Sequence, residues 1–206
     1  MLWVVWLDFL FKTQGELLYF RLGFFKGNYL VSHIKQDDAH LFVLLRDGFC
    51  NLRPMMNVRF LGTGTSQGVP VIACDCEVCT SADQRDVRLR SSIFINNEDT
   101  HFVIDTGPDF RAQMLNNHIQ QLDAIVYTHE HKDHIKGAFS LANKFQIPIY
   151  LSYGTYQMSH KKINDGYKIK FELINNFDSF MIDDISISPM PVPHDAREPL
   201  QYRFDC

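Results

Sequence analysis

One short segment constrains this chain more than any other. Ala124-Ile125-Val126-Tyr127 reads as an apolar strand, and Thr128-His129-Glu130-His131-Lys132-Asp133-His134 follows it directly. On an extended loop, His129 and His131 point to the same side, because alternate residues share a face. Asp133 and His134, adjacent where a helix begins, can turn towards a second point a few ångströms away. A dinuclear metal site needs neutral imidazoles and carboxylates converging at about 2.0–2.2 Å on each ion, with a position left open for water. The spacing supplies this from one segment. The competing reading is a solvated polar loop with histidines grouped by chance. It does not explain why three histidines and two acids directly follow an apolar strand.

The elements around the segment alternate in type. Asn57-Val58-Arg59-Phe60-Leu61 predicts a strand ending in the turn-rich Gly62-Thr63-Gly64-Thr65-Ser66-Gln67-Gly68. Ser92-Ile93-Phe94-Ile95 and Phe102-Val103-Ile104 predict paired strands joined by the polar turn Asn96-Asn97-Glu98-Asp99. A helix is expected from near Pro108, with Phe110, Met114 and His118 on one face, and another through residues 135–145. Ile149-Tyr150-Leu151 predicts a strand, followed by a polar, Lys-rich stretch. Ile185-Ser186-Ile187-Ser188 alternates as a half-buried strand does, and Pro189, Pro191 and Pro193 stiffen the approach to His194. Hairpins early and βα units late imply an α/β layered fold. At 206 residues one substantial core is expected. The chain changes character near Met55 and Met56. Residues 1–55 carry both tryptophans and many phenylalanines without sustained periodicity. They read either as an aromatic-rich extension or, the reading favoured, as sequence upstream of a start at Met55 or Met56. Residues 56–206 form the orderly domain.

Thr-His-x-His-x-Asp-His resembles the signature of the metallo-β-lactamase superfamily. Phe60-Leu61-Gly62-Thr63-Gly64-Thr65-Ser66-Gln67-Gly68-Val69-Pro70 resembles the opening strand and loop of one branch of it. That branch includes the phosphoribosyl 1,2-cyclic phosphate phosphodiesterase and, more distantly, the tRNA 3′-end-processing endonuclease ribonuclease Z. The resemblance covers residues 57–206 and implies an αββα sandwich. It implies that His129, His131 and His194 bind a first divalent ion, and Asp133 and His134 a second. The family uses zinc or manganese, and imidazole with carboxylate ligands does not separate them. His194 has matching context: Pro193-His194 precedes Leu200-Gln201-Tyr202-Arg203-Phe204, similar to the family's ligand histidine followed by a Gly-Tyr-Arg strand. Gln201 departs from that glycine. The implied chemistry is hydrolysis of a small or cyclic phosphodiester by a hydroxide activated between two ions, with Asp133 also placed to orient the nucleophile. In the family a bridging aspartate and a last histidine follow the strand matched by residues 200–204. The sandwich and the site are therefore expected to be incomplete at the C-terminus, and the chain to be a fragment. A tRNA 3′-processing-type endonuclease and a non-catalytic truncated metal-binding remnant are the alternatives.

Cys74-x-Cys76-x-x-Cys79 offers three soft thiolates that suit zinc in a closed structural site. The resemblance implies a later histidine as fourth ligand; reduced cysteines and a redox pair are the alternatives. Asp105 in Ile104-Asp105-Thr106-Gly107 resembles the family's Asp-Thr-Gly turn, where an acid at a strand end braces the metal loop. Arg88, Arg90 and Arg111 are candidate phosphate partners, since guanidinium matches phosphate oxygens bidentately. Backbone N–H groups around Ser66 are candidate anion donors. The glycine-rich turn has neither the Gly-Lys-Ser/Thr of a P-loop nor a dinucleotide fingerprint's helix, which excludes a nucleotide cofactor.

A formal net charge of -4 gives no whole-chain reason to expect a nucleic-acid partner. A small phosphodiester substrate is expected instead, and a homodimer is left open. Five cysteines, an odd number with three crowded together, do not make a secreted disulfide framework, so a reducing cytoplasm fits. The first eleven residues, apolar apart from Asp8, lack a basic n-region and a cleavage site and are too short to span a bilayer, so no membrane partner is expected.

Overall fold

The computed structural model describes the backbone of residues 4–13, 16–25, 40–42, 56–163 and 167–205, and the side chains of residues 56–160 and 167–205. The expected boundary at residue 55 lies outside the described residues. Two early strands, β1 (Val4–Thr13) and β2 (Glu16–Phe25), pair as an antiparallel hairpin. A third, β3 (His40–Phe42), pairs antiparallel with β4 (Asn57–Gly62).

From β4 onward the expected order appears. β4, β5 (Ser92–Asn96) and β6 (His101–Ile104) pair antiparallel in sequence order. β6, β7 (Ala124–Val126), β8 (Ile149–Ser152) and β9 (Phe171–Ile174) then run parallel. Strands β3 to β9 form one seven-stranded sheet. A second, antiparallel sheet holds β10 (Phe180–Ile182), β11 (Ile185–Pro191) and β12 (Leu200–Asp205).

Alternation along the central strands builds two cores. Phe94, Val103, Ile125 and Tyr127 face one way and pack with Phe110, Ile135, Ala138 and Ala142. Those partners belong to α1 (Phe110–Asn116), α2 (Lys132–Ile135) and α3 (Phe139–Phe145) with its approach. Ile95, Phe102, Ile104, Ala124 and Val126 face the other way, against Ile182, Ile185 and Ile187 of the second sheet. Strands covered on both faces need apolar residues at every position, which is why β7 reads as a continuous apolar run. Full burial of each large aliphatic side chain here stabilises the fold by about 1.5–3 kcal/mol. The result is helices on sheet on sheet, the α/β metallo-β-lactamase architecture.

Three local expectations change. The helix expected from Pro108 begins at Phe110 and ends before His118, which adopts a left-handed φ of 53° beyond it. The helix expected over residues 135–145 is two helices, α2 and α3, interrupted at Gly137, whose N–H bonds to the Thr106 carbonyl. The Lys-rich stretch contains α4 (Tyr153–Ile163) and leads into β9. Ser152 Oγ accepts the Thr155 N–H at 3.2 Å and caps α4. Among its described side chains the helix fully buries Thr155 and Ser159, and Tyr156 packs against the core. No helix among the described residues is long and apolar enough to cross a membrane.

Candidate metal centre

Parallel strands β6, β7 and β8 end side by side, where open α/β sheets place their ligands. Asp105 ends the first of these and the His-rich segment the second. Asp105 is buried and takes a left-handed φ of 59°, a conformation aspartate tolerates better than most side chains. This turns its carboxylate under the metal loop. Its Oδ1 accepts the Thr128 N–H at 2.8 Å. Its Oδ2 accepts the Thr128 hydroxyl at 2.7 Å and lies 2.8 Å from His134 Nδ1. A carboxylate only accepts, so His134 Nδ1 carries a proton. The Thr128 hydroxyl, whose hydrogen is directed at Asp105, accepts from His129 Nδ1 at 2.8 Å. Both Nδ1 atoms are thereby engaged, and Nε2 is the nitrogen that each ring presents to the site.

One ligand nitrogen each from His129, His131 and His194 lies within 4.8 Å of the others. The ring centroid of His129 is 4.5 Å from that of His131 and 4.7 Å from that of His194. His194 arrives on the loop after β11, tied down where Leu200 N–H donates to the Thr128 carbonyl and the Tyr202 hydroxyl to that of Tyr127. Burial, helped by the charge of His134, pushes the His129 pKa down to about 4, so at neutral pH the ring is the uncharged form a metal requires. Its Nε2 is buried with no hydrogen-bond partner. Such an orphan costs about 1–3 kcal/mol, and a metal bond removes that cost. The donor set therefore fits a divalent ion.

A second pair adjoins the first. The His134 ring centroid is 4.2 Å from that of His129, and His134 Nε2 is 3.4 Å from Asp133 Oδ2. Burial lowers the His134 pKa, but the Asp105 and Asp133 carboxylates outweigh it and raise it to about 10. Burial raises that of Asp133, and the His134 hydrogen bond and charge overcome it, leaving the carboxyl below its usual range. A positive charge is favoured between two carboxylates, and a divalent ion at His134 Nε2 answers the same electrostatics. Two glycines permit this closeness. A Cβ on Gly107 would overlap the Asp133 carbonyl, and one on Gly137 would overlap that of Gly107. Gly137 escapes notice in the sequence; the one signal for it is a lone glycine inside a helical pattern.

The secondary candidates divide. Arg90 is engaged by Asp109 at 2.8 Å and by the Ser66 carbonyl at 2.8 Å, so it holds the β4–β5 connection together rather than waiting for phosphate. Arg88 pairs through its backbone with Val69, and Arg111 is exposed on α1. In the glycine-rich loop the N–H groups of Gly64, Gly68 and Val69 already donate to the carbonyls of Leu89, Thr65 and Arg88. Cys74, Cys76 and Cys79 form no disulfide, and their sulfurs lie within 4.8 Å of one another. Val71 N–H donates to Cys79 Sγ at 3.3 Å and Cys79 N–H to Cys76 Sγ at 3.4 Å. The latter bond, with the neighbouring Cys74 thiol, lowers the Cys76 pKa to about 7. At Cys76 this favours thiolate, the form that binds zinc; at Cys79 the Val71 bond also lowers the pKa, but burial and the Cys74 and Cys76 thiols outweigh it and raise it.

The profile of the Beta-lactamase superfamily domain matches residues 100–205, just over half the chain. The chain belongs to that superfamily. Its metallo-β-lactamase-fold relatives include a diphosphatase from the PhnP family, whose crystal structure superposes with a TM-score of 0.66 at 34% identity, covering 72% of this chain and 62% of the other. An octanoyltransferase of Porphyromonas gingivalis is 30% identical over 162 residues, 72% of this chain and 33% of that one. The exodeoxyribonuclease YycJ of Bacillus anthracis is 30% identical over 118 residues, 54% of this chain and 44% of that one. The superfamily member described here thus spans less than half the length of either curated relative.

Proposed function

We propose that this superfamily member is a metal-dependent phosphodiesterase acting on a small or cyclic phosphodiester. The observation that carries the reading is the convergence of His129, His131 and His194, with a buried, unpartnered His129 Nε2 among them. Likeness to a diphosphatase directs the chemistry to a phosphoryl centre. His129, His131 and His194 would hold one divalent ion, zinc or manganese; His134 and Asp133 would contribute to a second. Such ions, when bound, lower the pKa of water and neutralise charge on phosphoryl oxygens. The chain's own residues do the rest. Asp105 and Thr128 keep both Nδ1 protons in place, and Asp133, beside the first cluster, orients water through its carboxylate. Cys74, Cys76 and Cys79 would hold a structural zinc, and cysteines outside disulfides suit a cytoplasmic setting.

A second reading has its own support: exodeoxyribonuclease YycJ matches at 30% identity. Metal-reconstituted protein assayed on a 2′,3′-cyclic nucleotide, an aryl phosphodiester and single- and double-stranded DNA separates the two. Metal-dependent turnover confined to the small diesters supports the first reading. Processive, strongly salt-dependent degradation of DNA favours the nuclease. Hydrolysis of none of them, with metal bound, contradicts both.

A further inference from the structure

The third histidine comes from a different sheet and a different loop than the other two, so something must set its distance from them. Alternation along Thr128-His129-Glu130-His131 sends Glu130 away from the two histidines it separates. There Glu130 Oε1 accepts the Arg197 N–H at 2.9 Å, across 67 residues of sequence. Glu130 Oε2 is buried without a partner, so the carboxylate is held against the loop although its second oxygen gains nothing. On its other side the same loop meets the turn after β8. Glu198 takes a left-handed φ of 55°. Its Oε2 accepts the Gly154 N–H at 2.6 Å, and its carbonyl accepts the Ser152 hydroxyl at 2.9 Å. Gly154 allows the approach, since a Cβ there would stand 2.8 Å from the Arg197 carbonyl oxygen. Arg197 closes the set with an Nη1 bond to Gln157 Oε1 at 3.3 Å.

We infer that Glu130 and Glu198 are positioning residues that clamp the loop following His194 between the metal loop and the β8–α4 turn, thereby setting the third ligand of the three-histidine site. The inference rests on the metal reading above. Neither carboxylate needs its charge for this, because each acts as a hydrogen-bond acceptor from a backbone N–H. Glutamine offers the same acceptor and alanine offers none.

Cobalt(II) titration of the metal-free full chain, followed by visible absorption, reads both affinity and ligand geometry. Glu130→Ala and Glu198→Ala are expected to weaken binding by about 10–100-fold, the range typical of lost support around a metal ligand, and to alter the spectrum. Glu130→Gln is expected to stay within about threefold of wild type, since its carbonyl keeps the Arg197 bond. His194→Ala is the reference. If it weakens binding while folded Glu130→Ala and Glu198→Ala bind as wild type does, the clamp is overturned and the metal reading stands. Glu130→Gln as damaging as Glu130→Ala also overturns the clamp. Loss of folding in both alanine variants, judged by circular dichroism, makes the role one of global stability and overturns it too. A wild-type chain that binds no cobalt overturns the metal reading and the clamp together.

Discussion

Single side chains carry most of the chemistry, and Thr128 shows how much rests on one hydroxyl. It donates to Asp105 and accepts from His129, so it fixes which nitrogen of that ring is free. Thr128→Val keeps the shape and removes this relay. Zinc affinity measured by calorimetric titration is expected to fall about 10–100-fold with the fold retained. His134 and His129 together make a pH-dependent prediction. The raised pKa of His134 stabilises the metal-free fold fully below about pH 6.5, the ordinary histidine value, and this contribution is lost as pH rises towards about 10. The depressed pKa of His129 acts oppositely: its contribution is present above about pH 6.5 and lost as pH falls through about 4. The urea midpoint of metal-free protein should therefore be highest near pH 6–7 as far as these two groups decide it. Asp105→Asn should flatten the alkaline limb, and an unchanged limb would show that Asp105 does not hold the His134 proton.

At the level of elements, legibility followed periodicity. β4, β5, β6, β7 and β11 were readable because each is a β-branched or aromatic run that buries one or both faces. The His-rich segment was readable because its chemistry is local: all its spacing lies within residues 128–134. α4 was not, since the described side chains it buries fully are Thr155 and Ser159, small and polar, with the Ser159 hydroxyl bonded to the Thr155 carbonyl at 2.7 Å. Nor was the break between α2 and α3, which depends on Gly137 meeting the Asp-Thr-Gly turn thirty residues earlier in the chain. Glu130 falls at an unspecified position of the motif, and its partner lies in a loop that only the tertiary fold brings near. The glycine contact is open to test. Gly137→Ala forces a methyl into the Gly107 carbonyl and is expected to cost at least about 1–3 kcal/mol in denaturant unfolding. It should also displace Asp133 and His134 and weaken the second metal site more than the first.

At the scale of the molecule, the seven-stranded sheet, the three-stranded sheet and one helical layer bring the ends of β6 and β7 and the loop after β11 to a single point. β7 sits centrally in the larger sheet, covered by helices on one face and by Ile185 and Ile187 of the smaller sheet on the other, so its C-terminal end is held rigidly. His194 comes from the smaller sheet, and the three-histidine group exists only when both sheets pack. Metal binding and folding should accordingly be linked. The central claim is that His129, His131 and His194 together hold a divalent ion. Equilibrium dialysis of metal-free protein against zinc, followed by metal analysis of wild type and a His129→Ala/His194→Ala double variant, tests it most directly. The structure predicts at least one ion retained by wild type beyond any held by the cysteine cluster, and its loss in the folded double variant. Equal zinc content in the two proteins would contradict it.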